Sequence, residues 1–314
     1  MAERILVTGA AGFAGSHLVE LLSGHEMFAW TRSAPPGSLE SHAQWQRVEL
    51  MDRTSVGQAV REAKPTIVYH CAGSPHVATS WHDTATPLAH NVIGTHHLLD
   101  ALRLEGRACR VLLPGSATVY ASSSAPIDEH HAVTPVSPYA LSKFAQERLG
   151  LRAIAEDGLD VVATRSFNHT GPRQTPAFVA PSMARQVALI ESGTMDPVLK
   201  VGNLEAKRDF TDVRDVVAAY VRLMAAGEPG AIYNVASGIA RSMREILDAL
   251  LARASVAIRV DTDPTRLRPH DMPLLVGDAS KLRVATGWAP KIGFDQMVDD
   301  LLEYWRSRVA SGSA

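Results

Sequence analysis

The chain has 314 residues, 46% of them apolar and 20% charged, with a formal net charge of −2 at pH 7. That length buries a full core as one large α/β domain or two unequal lobes, and the near-neutral balance gives no support for nucleic-acid binding. No apolar run has transmembrane length, and a strand pattern begins within four residues of Met1, leaving no room for a signal peptide, so a cytosolic protein with no membrane partner is expected.

The first element is an apolar strand over 5–8 that stops in a glycine-rich turn and runs into a helix, Ile5-Leu6-Val7-Thr8-Gly9-Ala10-Ala11-Gly12-Phe13-Ala14-Gly15-Ser16. Glycine permits the tight turn and lets backbone N–H groups approach a pyrophosphate, whose charge the helix dipole favours. The spacing is G-x-x-G-x-x-G, so Gly9, Gly12 and Gly15, with Phe13 and Ala14 between them, are candidate cofactor contacts. Strand patterns follow at 27–31, 46–50, 66–71, 110–113 and 161–165, separated by helical patterns at 13–22, 55–63, 87–104 and 137–155. This alternation predicts an α/β fold with a doubly wound parallel sheet, which binds ligands beyond the carboxyl ends of its strands. The glycine turn, Cys71-Ala72-Gly73, Ser116 and Asn168 all follow strand ends and are expected along one edge.

After about residue 166 proline-bearing loops appear, and helical patterns recur at 181–191, 213–226, 242–254 and 294–309. A Rossmann domain over 1–166 with a returning segment at about 210–236 is predicted. A smaller α/β substrate lobe over 167–209 and 237–309 and a frayed tail over 310–314 complete the chain. Cys71 and Cys109 suit buried thiols rather than a disulfide. The thirteen histidines include the adjacent pairs His96-His97 and His130-His131, whose members point to different faces. With no His-Glu-x-x-His or Cys-x-x-Cys spacing, no metal site is expected.

The second chemical signal is Tyr139-Ala140-Leu141-Ser142-Lys143, preceded by Ser116 at the end of an apolar strand. Positions i and i+4 share a helix face, so phenol and ammonium lie together, and the cation is expected to lower the phenol pKa. Ser116 can hold a substrate oxygen. In the order glycine turn, Ser, Tyr-x-x-x-Lys, the set resembles the extended short-chain dehydrogenase/reductase family that acts on nucleotide-sugars, over nearly the whole chain. The stretches Val77-Ala78-Thr79-Ser80-Trp81, Asn91-Val92-Ile93-Gly94-Thr95, Arg165-Ser166-Phe167-Asn168-His169-Thr170-Gly171-Pro172 and Arg208-Asp209-Phe210-Thr211-Asp212 carry the likeness further. Val201-Gly202-Asn203-Leu204-Glu205-Ala206-Lys207-Arg208-Asp209, Pro176-Ala177-Phe178-Val179 with Arg185, and Arg268-Pro269-His270-Asp271-Met272-Pro273 are similar to segments of its GDP-mannose branch.

The resemblance implies catalytic Ser116, Tyr139 and Lys143. It implies cofactor contacts at Gly9, Gly12, Phe13, Ala14, Gly15, Arg32, Asp52, Cys71, Ala72, Gly73 and Asn91 besides Tyr139 and Lys143. Substrate contacts are implied at Ser74, His76, Thr118, Asn168, Phe178, Val179, Arg185, Val201, Asn203, Arg208, Arg268 and Asp271. No acidic residue stands at the end of the second strand pattern, where an NAD site carries one for the ribose hydroxyls. Arg32 there suits a 2′-phosphate or stacking on adenine, so NADP(H) is preferred and NAD(H) stays possible. Asp52 reads equally as an adenine contact and as a cap. Water elimination needs a base for the C5 proton and an acid for the departing hydroxyl; the resemblance implies that a dehydratase carries a carboxylate for this within two residues after its active-site serine, and Ala117 and Thr118 supply none. The implied activity is reduction of the C4 ketone of a GDP-4-keto-6-deoxy-mannose, to GDP-rhamnose or its C4 epimer GDP-6-deoxy-talose. A nucleotide-sugar 4-epimerase, a GDP-mannose dehydratase and a non-catalytic dinucleotide binder are the alternatives. The family also implies a homodimer through the helices near 87–104 and 137–155.

Overall fold

The computed structural model describes residues 3–75, 77, 79–266 and 272–313. The first part of the chain runs β1 (Ile5–Thr8), α1 (Phe13–Leu21), β2 (Met27–Thr31), β3 (Gln44–Arg47), α2 (Arg53–Ala63), β4 (Ile67–His70), α3 (Ala85–Leu88), a π-helical segment Ala89–Ile93, α4 (Gly94–Glu105), β5 (Arg110–Ser116), α5 (Pro138–Asp157) and β6 (Asp160–Ser166). The rest runs β7 (Asn168–Thr170), α6 (Val179–Glu191), β8 (Val198–Val201), β9 (Lys207–Asp212), α7 (Val213–Ala226), β10 (Ile232–Val235), β11 (Ala240–Ser242), α8 (Met243–Leu251), β12 (Arg259–Thr262), β13 (Leu274–Leu275), α9 (Ser280–Thr286) and α10 (Phe294–Ala310).

Seven strands form one parallel sheet in the order β10-β6-β5-β4-β1-β2-β3, the doubly wound α/β arrangement expected. Side chains alternate across it. Leu6, Val68, Val111 and Val161 pack with α2, α4 and α5, while Ile5, Val7, Leu112 and Val162 pack with α1 and α7. A separate core joins α6, α8, α10 and β8. Two smaller sheets lie outside the seven-stranded one: β9 with β7, β11 and β13, and β8 with β12.

Because all seven strands run the same way, their carboxyl ends share one edge. The turn after β1, the segment after β4, Ser116 at the end of β5 and the segment after β6 therefore converge there. Helix α5 is fixed over this edge by strong local signals. Ser137 caps it by accepting from the Ala140 N–H, Pro138 occupies the first turn, and Gly158 ends it in the left-handed region at φ 67°. Gly150 lets the helix lie close to the sheet, since a Cβ there would sit 2.4 Å from Leu113 Cδ1. A buried bidentate ion pair, Arg165 Nε to Glu147 Oε2 and Nη2 to Oε1, each 2.8 Å, ties α5 to β6.

Two readings are corrected here. The third strand covers Gln44–Arg47, not 46–50. It is the edge strand, half exposed, and the more apolar Val48 and Leu50 pack after it has ended. The pattern at 87–104 is not one helix, because a π-helical turn at Ala89–Ile93 interrupts it.

Candidate active site

The glycine turn leaves β1 with Gly9 at φ 64°, a conformation that favours glycine. A Cβ on Gly9 would lie 2.7 Å from Ala72 Cα, and one on Gly15 would lie 2.2 Å from Gly9 O. Helix α1 then begins at Phe13 with no side-chain cap at Gly12 and no acidic residue in its first turn. Its first N–H groups and its dipole suit an anion, so this turn fits the pyrophosphate of a dinucleotide. Phe13 stacks on His169, with ring centroids 5.7 Å apart.

Across the edge, Ser116 Oγ lies 2.9 Å from Thr118 Oγ1 and accepts from the Thr118 N–H. Ser116 also hydrogen-bonds Tyr139, one helix turn from Lys143. Burial pushes the Tyr139 pKa above its ordinary value, and the bond from Ser116 pulls against it. The expected lowering by Lys143 is not what the geometry gives. The ammonium itself is pushed down to about 8 by burial, opposed by Cys71, and it donates to Gln146 Oε1. Tyr139 is therefore a protonated acid across the neutral range. Cys71, directly after β4, is a half-buried free thiol pushed up to about 12 by burial, and Cys109 is a buried one.

Asn91 sits in the π-helical turn, a device that re-aims one side chain out of a helix. Its side chain accepts from Ser74 N at 2.8 Å and donates to Ser74 O and to Ser142 Oγ, so it pins the 73–74 loop to α5. A Cβ on Gly73 would meet Asn91 Oδ1 at 2.4 Å. Arg32 is exposed after β2, 3.3 Å from His90 Nε2, and the segment holds no acid between Glu26 and Glu40. Asp52 caps α2, its Oδ1 accepting from Thr54 N and Ser55 N, and its side chain is exposed.

On the far side, Arg185, Ser182, Lys200 and Arg266 line a cavity of about 620 Å³ with Thr175 and Pro176. Phe178 and Val179 open α6 beside it. Asn168 starts β7 with an exposed side chain, and Asn203 Oδ1 accepts from Glu205 N. Arg208 lies in β9 and donates to the Lys207 carbonyl. Val201 is a correction: its side chain is buried in the α6/α8/α10 core and cannot line a ligand. His76, Arg268 and Asp271 lie outside the described residues. Among the described residues no group of three His, Cys, Asp or Glu side chains could hold a metal ion. The sequence reading missed Gln146, Thr95 and His70 beneath the site, for which no motif spacing gave a signal, and Lys200 and Arg266 in the cavity.

A glycine-turn Rossmann sheet with a Ser–Tyr–Lys set at its carboxyl edge defines an oxidoreductase of the nucleotide-sugar class. The family profile described as GDP-mannose 4,6 dehydratase matches residues 6–301, and the chain belongs to that family. It is 37% identical to the GDP-6-deoxy-D-mannose reductase of Pseudomonas aeruginosa, over 98% of this chain and 99% of that one. Its fold matches the structure of RMD from Pseudomonas aeruginosa complexed with NADPH, with TM-score 0.86, 36% identity and coverage of 98% and 99%. It also matches a Thermus thermophilus UDP-glucose 4-epimerase complexed with NAD, with TM-score 0.87, 30% identity and coverage of 96% and 99%.

Proposed function

We propose that the protein reduces the C4 ketone of GDP-4-keto-6-deoxy-D-mannose with NADPH, giving GDP-D-rhamnose or its C4 epimer. The observation that carries this choice within the family is the neighbourhood of Ser116. Among the described residues the side-chain hydrogen-bond partners of Ser116 and Tyr139 are each other and Thr118, with no carboxylate between them to take a C5 proton. Likeness to a reductase along the full chain supports the same reading.

Bound NADPH supplies the hydride. The α1 N-terminus holds its pyrophosphate, and Arg32 meets the 2′-phosphate in place of the acidic residue an NAD site carries. Gly9, Gly12, Gly15 and the 71–73 segment let the backbone come close. Ser116 Oγ–H hydrogen-bonds the ketone oxygen and fixes its direction. Tyr139 Oη gives its proton to that oxygen as negative charge develops on it. Lys143 places its ammonium at the nicotinamide ribose. On the sugar side Arg185, Lys200 and Arg266 face the GDP moiety, where guanidinium forks and ammonium suit a diphosphate. Residues 1–166 and 210–236 then serve the cofactor, while 167–209 and 237–309 serve the substrate.

A homodimer is part of the proposal. Val92, Phe144, Ala145 and Leu149 line an apolar groove, and Leu88, Ile93 and Leu141 beside it are exposed. A second copy of the same helices would cover that face. Among the described residues no helix is long and apolar enough to cross a membrane. A cytosolic setting is proposed from the need for an NADPH supply.

The test is NADPH oxidation followed at 340 nm with GDP-4-keto-6-deoxy-mannose made in situ, with the product identified by NMR. One NADPH consumed per sugar reduced is expected. No oxidation, with interconversion of unreduced GDP- or UDP-hexoses, would replace this reading with a 4-epimerase.

A further inference from the structure

Beneath the site runs a buried polar chain in which every proton can be assigned. Thr95 Oγ1 donates to the Asn91 carbonyl at 2.7 Å, so its lone pairs must accept. They receive Gln146 Nε2 at 2.8 Å and His70 Nε2 at 2.9 Å. His70 therefore carries its proton on Nε2, and its bare Nδ1 accepts from Thr8 Oγ1 at 2.8 Å. Thr8 in turn accepts from the Ala72 N–H at 3.2 Å. At the other end Gln146 Oε1 accepts from Lys143 Nζ. The opposite tautomer would leave the Thr8 proton without an acceptor. His70, Thr95 and Gln146 are each about 1% exposed or less, so an unpaired group here would be costly.

Resting on the reductase reading, we propose that Gln146 is the positioning residue for Lys143, and that Thr95, His70 and Thr8 lock it to the floor of the dinucleotide turn. The chain spans α5, α4, β4 and β1. Ala72, at its far end, is the residue against which the Gly9 backbone packs. An ammonium has three donors, and Gln146 takes one, leaving two aimed by its position toward the cofactor cleft. Gln146 itself touches no reacting atom. Its amide is held by Thr95 at one end and Lys143 at the other, so it transmits the placement of the glycine turn to the catalytic ammonium.

The test uses Gln146→Leu and Thr95→Val, both near-isosteric, in the full chain. NADPH affinity is read by fluorescence titration without sugar, and kcat and KM by the coupled assay. Gln146→Leu is expected to raise the NADPH Kd about fivefold, as for one lost hydrogen bond, and to lower kcat about tenfold or more with the sugar KM unchanged. Thr95→Val should move both in the same direction by less. Gln146→Glu, which keeps an acceptor for the ammonium, should recover most of the lost affinity. If Gln146→Leu does not fold, the Thr95→Val and Gln146→Glu pair decides. Wild-type NADPH affinity and kcat in Gln146→Leu, or in Thr95→Val where Gln146→Leu does not fold, would overturn the proposal. A wild type that binds NADPH but reduces no keto-sugar would overturn the reductase reading instead, and the titrations would still judge the network.

Discussion

His17 offers a quantitative test of how α1 is joined to the segment that follows β7. It is 5% exposed on α1. Its Nε2 donates to the Pro172 carbonyl at 2.9 Å, and its Nδ1 accepts from Arg173 Nη2 at 2.6 Å. Burial, reinforced by the Arg173 charge, lowers its pKa from 6.5 to about 4. A group depressed on folding contributes stability that is complete above the unfolded value and is lost as pH falls toward the folded one. Between pH 7.5 and pH 5 the unfolded imidazole gains a proton and the folded one does not. Over the 1.5 units from 6.5 to 5 this one residue removes about 2 kcal/mol of stability. The assay is urea unfolding of wild type and His17→Gln at both pH values. His70, pushed down to about 3 by burial, acts in the same direction, but in both proteins, and cancels in the comparison. Wild type should lose about 2 kcal/mol more than the variant on acidification. An equal loss in both would refute the assignment of His17 as a neutral buried link.

Four further outcomes are expected. Tyr139→Phe should lower kcat by about 10²- to 10⁴-fold in the NADPH oxidation assay while leaving the melting temperature nearly unchanged. The reduction rate should be flat through neutral pH and fall as pH rises through about 8, where Lys143 loses its charge, with Tyr139 still protonated. Gly15→Ala should abolish NADPH binding in a titration and cost about 1–3 kcal/mol of stability, because its Cβ would meet Gly9 O at 2.2 Å. Thr118→Glu should weaken reduction yet produce no keto-sugar from GDP-mannose, since a carboxylate alone does not pose the sugar for C5 proton removal.

The parallel sheet was legible because its strands are short apolar runs broken by glycine, serine and helical periodicity. β1 and β2 match their predicted bounds, as does α7. β5 runs three residues further than its apolar pattern, through Pro114 and Gly115. β4 has already ended at that level, so the sheet is paired there with β6 alone. The short strands β7, β8, β9, β11, β12 and β13 carry no period of their own, being two to six residues set by tertiary pairing. The Ser–Tyr–Lys set was visible because its spacing is local. The groups supporting it were not: Gln146, Thr95 and His70 come from three elements and meet only after folding. The same holds for the π-helical turn that aims Asn91, and for the charge of Lys143, whose lowered pKa depends on burial that no spacing reveals.

The most direct test of the central claim is transfer of label from NADPH carrying deuterium at both hydrogen positions of the nicotinamide C4 to GDP-4-keto-6-deoxy-mannose. The account predicts one deuterium at C4 of a 6-deoxy sugar, with a matching amount of NADP⁺ formed. An unlabelled product, or a C4-inverted sugar formed with no net oxidation of NADPH, would contradict it.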